Sequence, residues 1–157
     1  MRAAAVTFGS FLLAALTLAA PARAEPAPEP EFTAAQALAC SGSACDGKDP
    51  AAYCGGDART LDSLTLGAAI LELRYSPSCR AAWARISNAR WEPYSQFPGI
   101  ARVTRDSDGR TYSCVVPAGG SSCYTLMVND RNVTSFAYGE WDGGSRIYTG
   151  RTGSHLR

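Results

Sequence analysis

Six cysteines, Cys40, Cys45, Cys54, Cys79, Cys114 and Cys123, behind an export leader constrain the fold more than any other feature of the chain. The leader opens on Met1-Arg2, continues through an apolar run from Val6 to Ala20, and ends in Pro21-Ala22-Arg23-Ala24. That is the basic start, apolar middle and A-x-A end of a secretory signal peptide. As a membrane anchor the run is too short, because a bilayer needs roughly 20 apolar residues, and it stops at Pro21. An even number of cysteines delivered to an oxidising compartment predicts three disulfides with no thiol left over. Zinc fits less well. No CxxC occurs, and the sole histidine, His155, lies in a polar tail. No metal or other cofactor is expected. Ala37-Leu38-Ala39-Cys40 has the look of a lipidation box, but the Pro/Glu run from Glu25 to Glu31 separates it from the apolar run of the leader.

The expected organisation is a signal peptide over residues 1–24, a Pro/Glu/Ala-rich leader over 25–39, one disulfide-bonded domain over 40–150 and a flexible tail over 151–157. The full chain has 15 Lys and Arg against 14 Asp and Glu, and cleavage removes Arg2 and Arg23. A near-neutral chain lacks the basic face that nucleic acid requires, and nothing in it draws the protein onto anionic lipid. A secreted monomer with no membrane span after cleavage is the expectation.

Pro fixes the backbone and removes donors, so Glu25 to Glu31 should be extended. Thr33 can cap a short helix over Phe32 to Ala39. Within the Cys40–Cys54 loop, Asp46-Gly47 predicts a turn, and Asp49-Pro50 predicts an N-cap with Pro at the first helical position, giving one turn to Tyr53. Thr60 to Leu66 and Ala68 to Tyr75 read as strands around Gly67. In the second, Leu71, Leu73 and Tyr75 face one side, and Ile70, Glu72 and Arg74 the other. Cys79 to Ile86 suits helix and strand equally. Asn88 to Gly99 is irregular and aromatic, with Trp91, Tyr94 and Phe97. Asp106 to Gly109 predicts a hairpin between Ile100–Arg105 and Arg110–Val116. Asn129 to Asn132 predicts a second, between Cys123–Val128 and Val133–Tyr138. Arg146 to Thr149 can form a last short strand.

About seven short strands separated by turns favour an all-β fold, a small antiparallel barrel or sandwich with at most short helical turns. Cys114 and Cys123 flank a Pro- and Gly-containing loop and should pair. The other four then pair among themselves, with three connectivities open. Cys79 is expected to join the Cys40–Cys54 loop, closing a long loop at a gain of roughly 2–4 kcal/mol.

Three stretches carry a resemblance: DGKDP (Asp46 to Pro50), ELRYSPSC (Glu72 to Cys79) and AAWARI (Ala81 to Ile86). In these the chain resembles the YjfA family, small secreted bacterial proteins of unknown function. The likeness is close over Cys40 to Ile86 and leaves Cys114 and Cys123 outside. It implies a mostly β domain outside the cytoplasm, which tips Cys79 to Ile86 toward strand. It implies no activity and no catalytic residues.

With that strand, a hairpin turning at Ser76 to Cys79 sets Glu72 opposite Trp83 and Ile70 opposite Arg85. Ile70, Glu72, Arg74, Ala81, Trp83 and Arg85 then share a face. An arginine stacked on Trp83 and paired with Glu72 is a structural stack covering the sheet, or a platform for an anionic or planar ligand.

No catalytic residue is assigned. Nucleophilic catalysis lacks its base, since the only histidine is in the tail and the cysteines are expected to be bridged. Asp46, Asp49, Asp57, Glu72, Glu140 and Asp142 have no spacing that marks a carboxylate pair. Asp46-Gly47-Lys48-Asp49 with Asp57 could hold calcium, but the stretch lacks the alternating acidic ligands of an EF-hand loop, and a turn plus a cap explain it as well. Asn132-Val133-Thr134 matches an N-glycosylation acceptor. The favoured function is a non-catalytic extracellular or cell-envelope interaction module, with an unknown protein or envelope component as partner. Its candidate surface is Glu72, Arg74, Trp83, Arg85, Trp91 and Tyr94. The alternatives are a secreted carboxylate-dependent hydrolase and a proteinase inhibitor presenting Ser76 to Arg80.

Overall fold

The computed structural model describes residues 40–91 and 94–156. The expected signal peptide, the expected Pro/Glu leader and the short helix expected over Phe32 to Ala39 lie outside the described residues. Two five-stranded antiparallel sheets build the domain. The first holds β1 (Arg59–Leu66), β2 (Ala69–Ser76) and β3 (Ala81–Ser87), with β6 (Cys123–Tyr124) and β7 (Val128–Asn129) both paired to β3. The second holds β4 (Ile100–Arg105), β5 (Thr111–Val115) and β8 (Thr134–Asp142), with β9 (Ile147–Arg151) and β10 (His155–Leu156) both paired to β8.

The core lies between the sheets. Leu71, Leu73 and Tyr75 of β2 and Ala82, Ala84 and Ile86 of β3 meet Ala101 and Val103 of β4 and Ala137 and Trp141 of β8. The small residues let the sheets approach closely. A Cβ at Gly139 would stand 2.9 Å from the Leu66 and Leu71 side chains. At one edge β9 meets β1, where a Cβ at Gly150 would come within 2.8 Å of Leu64. At the other, the Cys114–Cys123 bridge ties β5 of one sheet to β6 of the other.

Local chemistry accounts for the connections. Gly67 turns β1 into β2 at φ +65°, in the left-handed region where a side chain is strained. Asp106 to Gly109 joins β4 to β5 as expected, with Gly109 at φ +68°. Cys79 to Ile86 resolves as strand from Ala81, with Cys79 and Arg80 in the turn.

The register of that hairpin differs from the expected one. Arg74 lies opposite Trp83, Glu72 opposite Arg85 and Ile70 opposite Ser87. The turn is four residues, Pro77 to Arg80, and closes with Arg80 at φ 51°. A left-handed arginine is not announced by composition. A shift of two leaves each side chain on its own face, so the shared face of Ile70, Glu72, Arg74, Ala81, Trp83 and Arg85 stands.

The second expected hairpin does not form. Cys123–Tyr124 and Val128–Asn129 pair with β3, whereas Thr134 begins β8 in the other sheet, so Asn129 to Asn132 leads into a crossover. Thr125 exchanges hydrogen bonds with Ala84, its Oγ1 accepting from the Ala84 amide at 3.1 Å. Those bonds keep the segment on β3. The tail also differs from expectation. Thr152 is buried, and His155 and Leu156 pair with Ser135 and Thr134.

A disulfide-bonded cap from Cys40 to Ala58 covers part of the outer face of the first sheet. It includes a 3-10 turn (Gly42–Cys45) and the single helical turn α1 (Pro50–Tyr53). Asp49 caps α1, accepting from the Ala51 amide at 2.8 Å. The bridges are Cys40–Cys45 and Cys54–Cys79, so Cys79 does join the cap. Beneath them a second core gathers Ala81, Trp83 and Met127.

Asp46 fastens the cap to the other sheet. Its carboxylate accepts from Arg105 Nη1 at 2.9 and 3.0 Å and from the Asn129 amide at 2.6 Å. Arg105 also donates to Asp108, and both its side chain and that of Asp46 are almost wholly buried. Asp46→Ala strips one partner from a buried guanidinium and leaves an amide unpaired. The expected loss is about 3 kcal/mol, read as a lower urea midpoint. Asp46→Asn, which keeps an acceptor, should lose clearly less. Equal losses would mean that the charge carries the whole contribution and a neutral acceptor adds nothing.

Candidate functional site

The outer face of the first sheet gathers four of the six residues singled out from the sequence. Glu72 sits at the centre. Its Oε1 accepts from Thr60 Oγ1 at 2.7 Å and lies 3.5 Å from Arg74 Nη1, and its Oε2 lies 3.5 Å from Arg85 Nη1. Arg74 also donates to Thr60 Oγ1 at 2.7 Å and to the Ala58 carbonyl at 3.5 Å. Both guanidiniums thus pair with Glu72. Neither stacks on the indole, since none of the cation–ring contacts among the described residues uses Trp83. The cap explains this. Trp83 is only 5% exposed, held under the disulfides beside Met127.

Where the cap ends, a cleft of about 160 Å³ opens. Trp83 forms its floor. Pro50, Ala51, Gly55 and Ala58 form the cap wall, and Arg74, Arg85 and Tyr124 form the sheet wall. Tyr124 stands beside Arg85 because β6 pairs there with β3, and it is 45% exposed. Sequence reasoning missed Tyr124 and the cap wall. Both depend on which strand β6 joins and where the cap folds back, and no local pattern encodes either.

Trp91 and Tyr94 do not join this group. Trp91 is 42% exposed and donates its indole N–H to the Ser95 carbonyl at 3.3 Å. Tyr94 lines a separate cleft with Gln96, Asp142 and Arg146, at the β8–β9 turn. The carboxylate in that cleft is Asp142, whose two oxygens accept from the Gln96 and Gly144 amides at 2.7 and 2.9 Å.

All six cysteines are bridged, and the sulfurs of the two cap disulfides lie within 4.8 Å of one another. Bridged sulfurs present no thiolate to a metal ion. The carboxylates weighed for calcium have separate work. Asp46 holds Arg105, Asp49 caps α1, and Asp57 accepts from Ser76 Oγ and from the Ser78 amide at 2.8 Å. With Asp57 bracing it, the Ser76–Arg80 segment is a tight turn with Cys79 buried.

Asp57 and a second carboxyl, Asp62, link stability to acid. Burial pushes Asp57 up, but the Ser76 hydroxyl and Ser78 amide together hold it below the ordinary value of 3.8. Asp62 is held low first by the Gly153 amide, against some desolvation, with His155 Nε2 3.3 Å away. A folded-state pKa below the unfolded one means that the unfolded chain binds more protons. The stabilisation is therefore complete above the ordinary carboxylate range and is lost as pH falls through the lowered folded values. Urea midpoints should hold steady at neutral pH and drop below about pH 4. Asp57→Asn should flatten the acid limb, and an unchanged limb would remove Asp57 from the account.

A family model described as protein of unknown function (DUF2690) matches residues 43–138. A protein of Bacillus subtilis (strain 168) named uncharacterized protein YjfA is 35% identical over 94 residues. The match covers 55% of this chain and 59% of that relative's length. No solved structure matches.

Proposed function

The chain belongs to the DUF2690 family of proteins of unknown function, and from that premise we propose that it is a secreted, non-catalytic interaction module. Its partner, an envelope component or another extracellular protein, docks at the cleft between the disulfide cap and the first sheet. The observation that carries this reading is the cleft itself, an indole floor with two arginines and a half-exposed tyrosine on one wall. Aromatic and arginine side chains grouped around a concave site are what binding hot spots use. Three disulfides suit an oxidising compartment. Among the described residues no helix is long and apolar enough to cross a membrane. The hydrolase alternative needs two carboxylates facing each other across a cleft, and neither cleft described above is lined by such a pair.

The test is a pull-down of the mature protein against the envelope fraction and supernatant of the producing organism. The comparison variant carries Arg85→Ala and Tyr124→Ala, two half-exposed positions whose loss should spare the fold. A partner retained by the wild type and lost by the folded variant is the expected result. Equal capture by both, or no partner at micromolar protein, overturns the cleft as the binding site.

A further inference from the structure

We infer that the cleft takes a carboxylate carried by a ring-sized apolar group, with the carboxylate on Arg85 and the apolar group over Trp83. The inference rests on the cleft being a binding site and adds what kind of ligand it accepts.

Charge points to an anion. Arg74 and Arg85 share one carboxylate, Glu72, and no acidic residue lines the cleft itself. One positive charge is left over. Both guanidinium contacts to Glu72 are 3.5 Å long, well beyond the roughly 2.7–2.9 Å of a strong charge-assisted hydrogen bond. Of the two arginines, Arg74 is further held by Thr60 and the Ala58 carbonyl. The side chain of Arg85 is 47% exposed, and among the described residues Glu72 is its ion-pair partner. Arg85 is therefore the guanidinium with donors to offer, and its planar fork matches a carboxylate in bidentate fashion. A single surplus charge suits a monoanion better than a dianionic phosphate.

Size and polarity define the rest of the ligand. The floor and the cap wall are apolar, formed by Trp83, Pro50, Ala51 and Ala58. The volume, about 160 Å³, is close to the roughly 150 Å³ that accommodates a benzene ring. A bare carboxylate would leave that surface empty, and a neutral ring would leave Arg85 unanswered. The free acid and the terminal residue of a partner chain present the same pair of groups.

The probes are phenylacetate, phenylacetamide and acetate, titrated into the full mature protein. The readouts are the NMR shifts of the Trp83 indole N–H and the Arg85 Nε–H. Phenylacetate is expected to move both with a millimolar dissociation constant. Phenylacetamide and acetate should bind about tenfold more weakly or worse, and Arg85→Ala should weaken phenylacetate by at least about tenfold. Arg146→Ala, at the other cleft, should leave binding unchanged and serves as the folded control. N-acetyl-L-phenylalanine binding above phenylacetate would support a chain terminus as the source, and the reverse order a free acid. The inference is overturned if the amide binds as tightly as the acid, if Arg85→Ala binds phenylacetate unchanged, or if no shift appears at tens of millimolar. In that last case a partner lost by the Arg85/Tyr124 variant would keep the docking site and remove the carboxylate. Failure in both experiments would remove the site.

Discussion

Replacing Cys54 and Cys79 together by alanine is expected to lower the unfolding free energy by about 3.5 kcal/mol, the largest loss among the three bridges. The size follows from the chain it closes. Cys54–Cys79 spans 25 residues, Cys114–Cys123 spans 9 and Cys40–Cys45 spans 5. In the chain-entropy account a longer closed loop removes more freedom from the unfolded state, so the other two pairs should cost about 2.5 and about 2 kcal/mol. The Cys54–Cys79 bridge also pins α1 to the β2–β3 turn, so its loss should loosen the cap locally. The replacements must be made in pairs. The four cap sulfurs lie within 4.8 Å of one another, so a single substitution would leave a thiol beside an intact disulfide, ready to exchange with it. Urea unfolding of the three double variants gives the ranking. Equal losses from all three would show that native contacts, rather than loop closure, set the contribution of each bridge.

Trp83→Ala is expected to cost about 4 kcal/mol, comparable with that bridge. The side chain is 5% exposed and packs with Met127, Ala81 and the four cap cysteines. Its removal leaves a cavity between cap and sheet that the bridged cap cannot collapse to fill. Trp91→Ala, at a 42% exposed position, should stay within about 0.5 kcal/mol. Hydrogen exchange locates the damage. The Gly47 amide donates to the Met127 carbonyl at 2.9 Å and the Met127 amide to the Lys48 carbonyl at 3.0 Å. Both should lose protection in Trp83→Ala, while β4 and β8 amides keep theirs down to the new global limit. Uniform loss across both sheets would mean that the cap and the sandwich unfold as one unit. Because Trp83 supports the cap, a binding defect in its variants would not separate contact from folding. Arg85 and Tyr124 are the positions that do.

The DGKDP stretch shows how a specific-looking motif divides into structural tasks. Asp46 grips Arg105, and Gly47 takes φ +73° beside the Tyr112 hydroxyl. Lys48 lies over the Tyr53 ring, Asp49 caps α1, and Pro50 opens it. The cap and the turn were legible from residue type alone. The grip on Arg105 was not, because its partner is 59 residues away.

By itself the sequence determined the all-β class, the alternation that sends Leu71, Leu73 and Tyr75 inward and Glu72 and Arg74 outward, the Asp106–Gly109 hairpin, the α1 cap and the bridge between Cys114 and Cys123. These depend on backbone preferences and on neighbours within a few residues, which the local chain carries in full. Only the tertiary structure decided that Arg80 turns left-handed and shifts the hairpin by two, that Cys123 to Asn129 follows β3, and that the cap folds over Trp83 and leaves a cleft beside Tyr124. A strand's alternation says which face a side chain takes, but not which strand will lie beside it. That choice is made by competition among distant surfaces for burial and for backbone hydrogen bonds, and the cleft exists only where the competition ends.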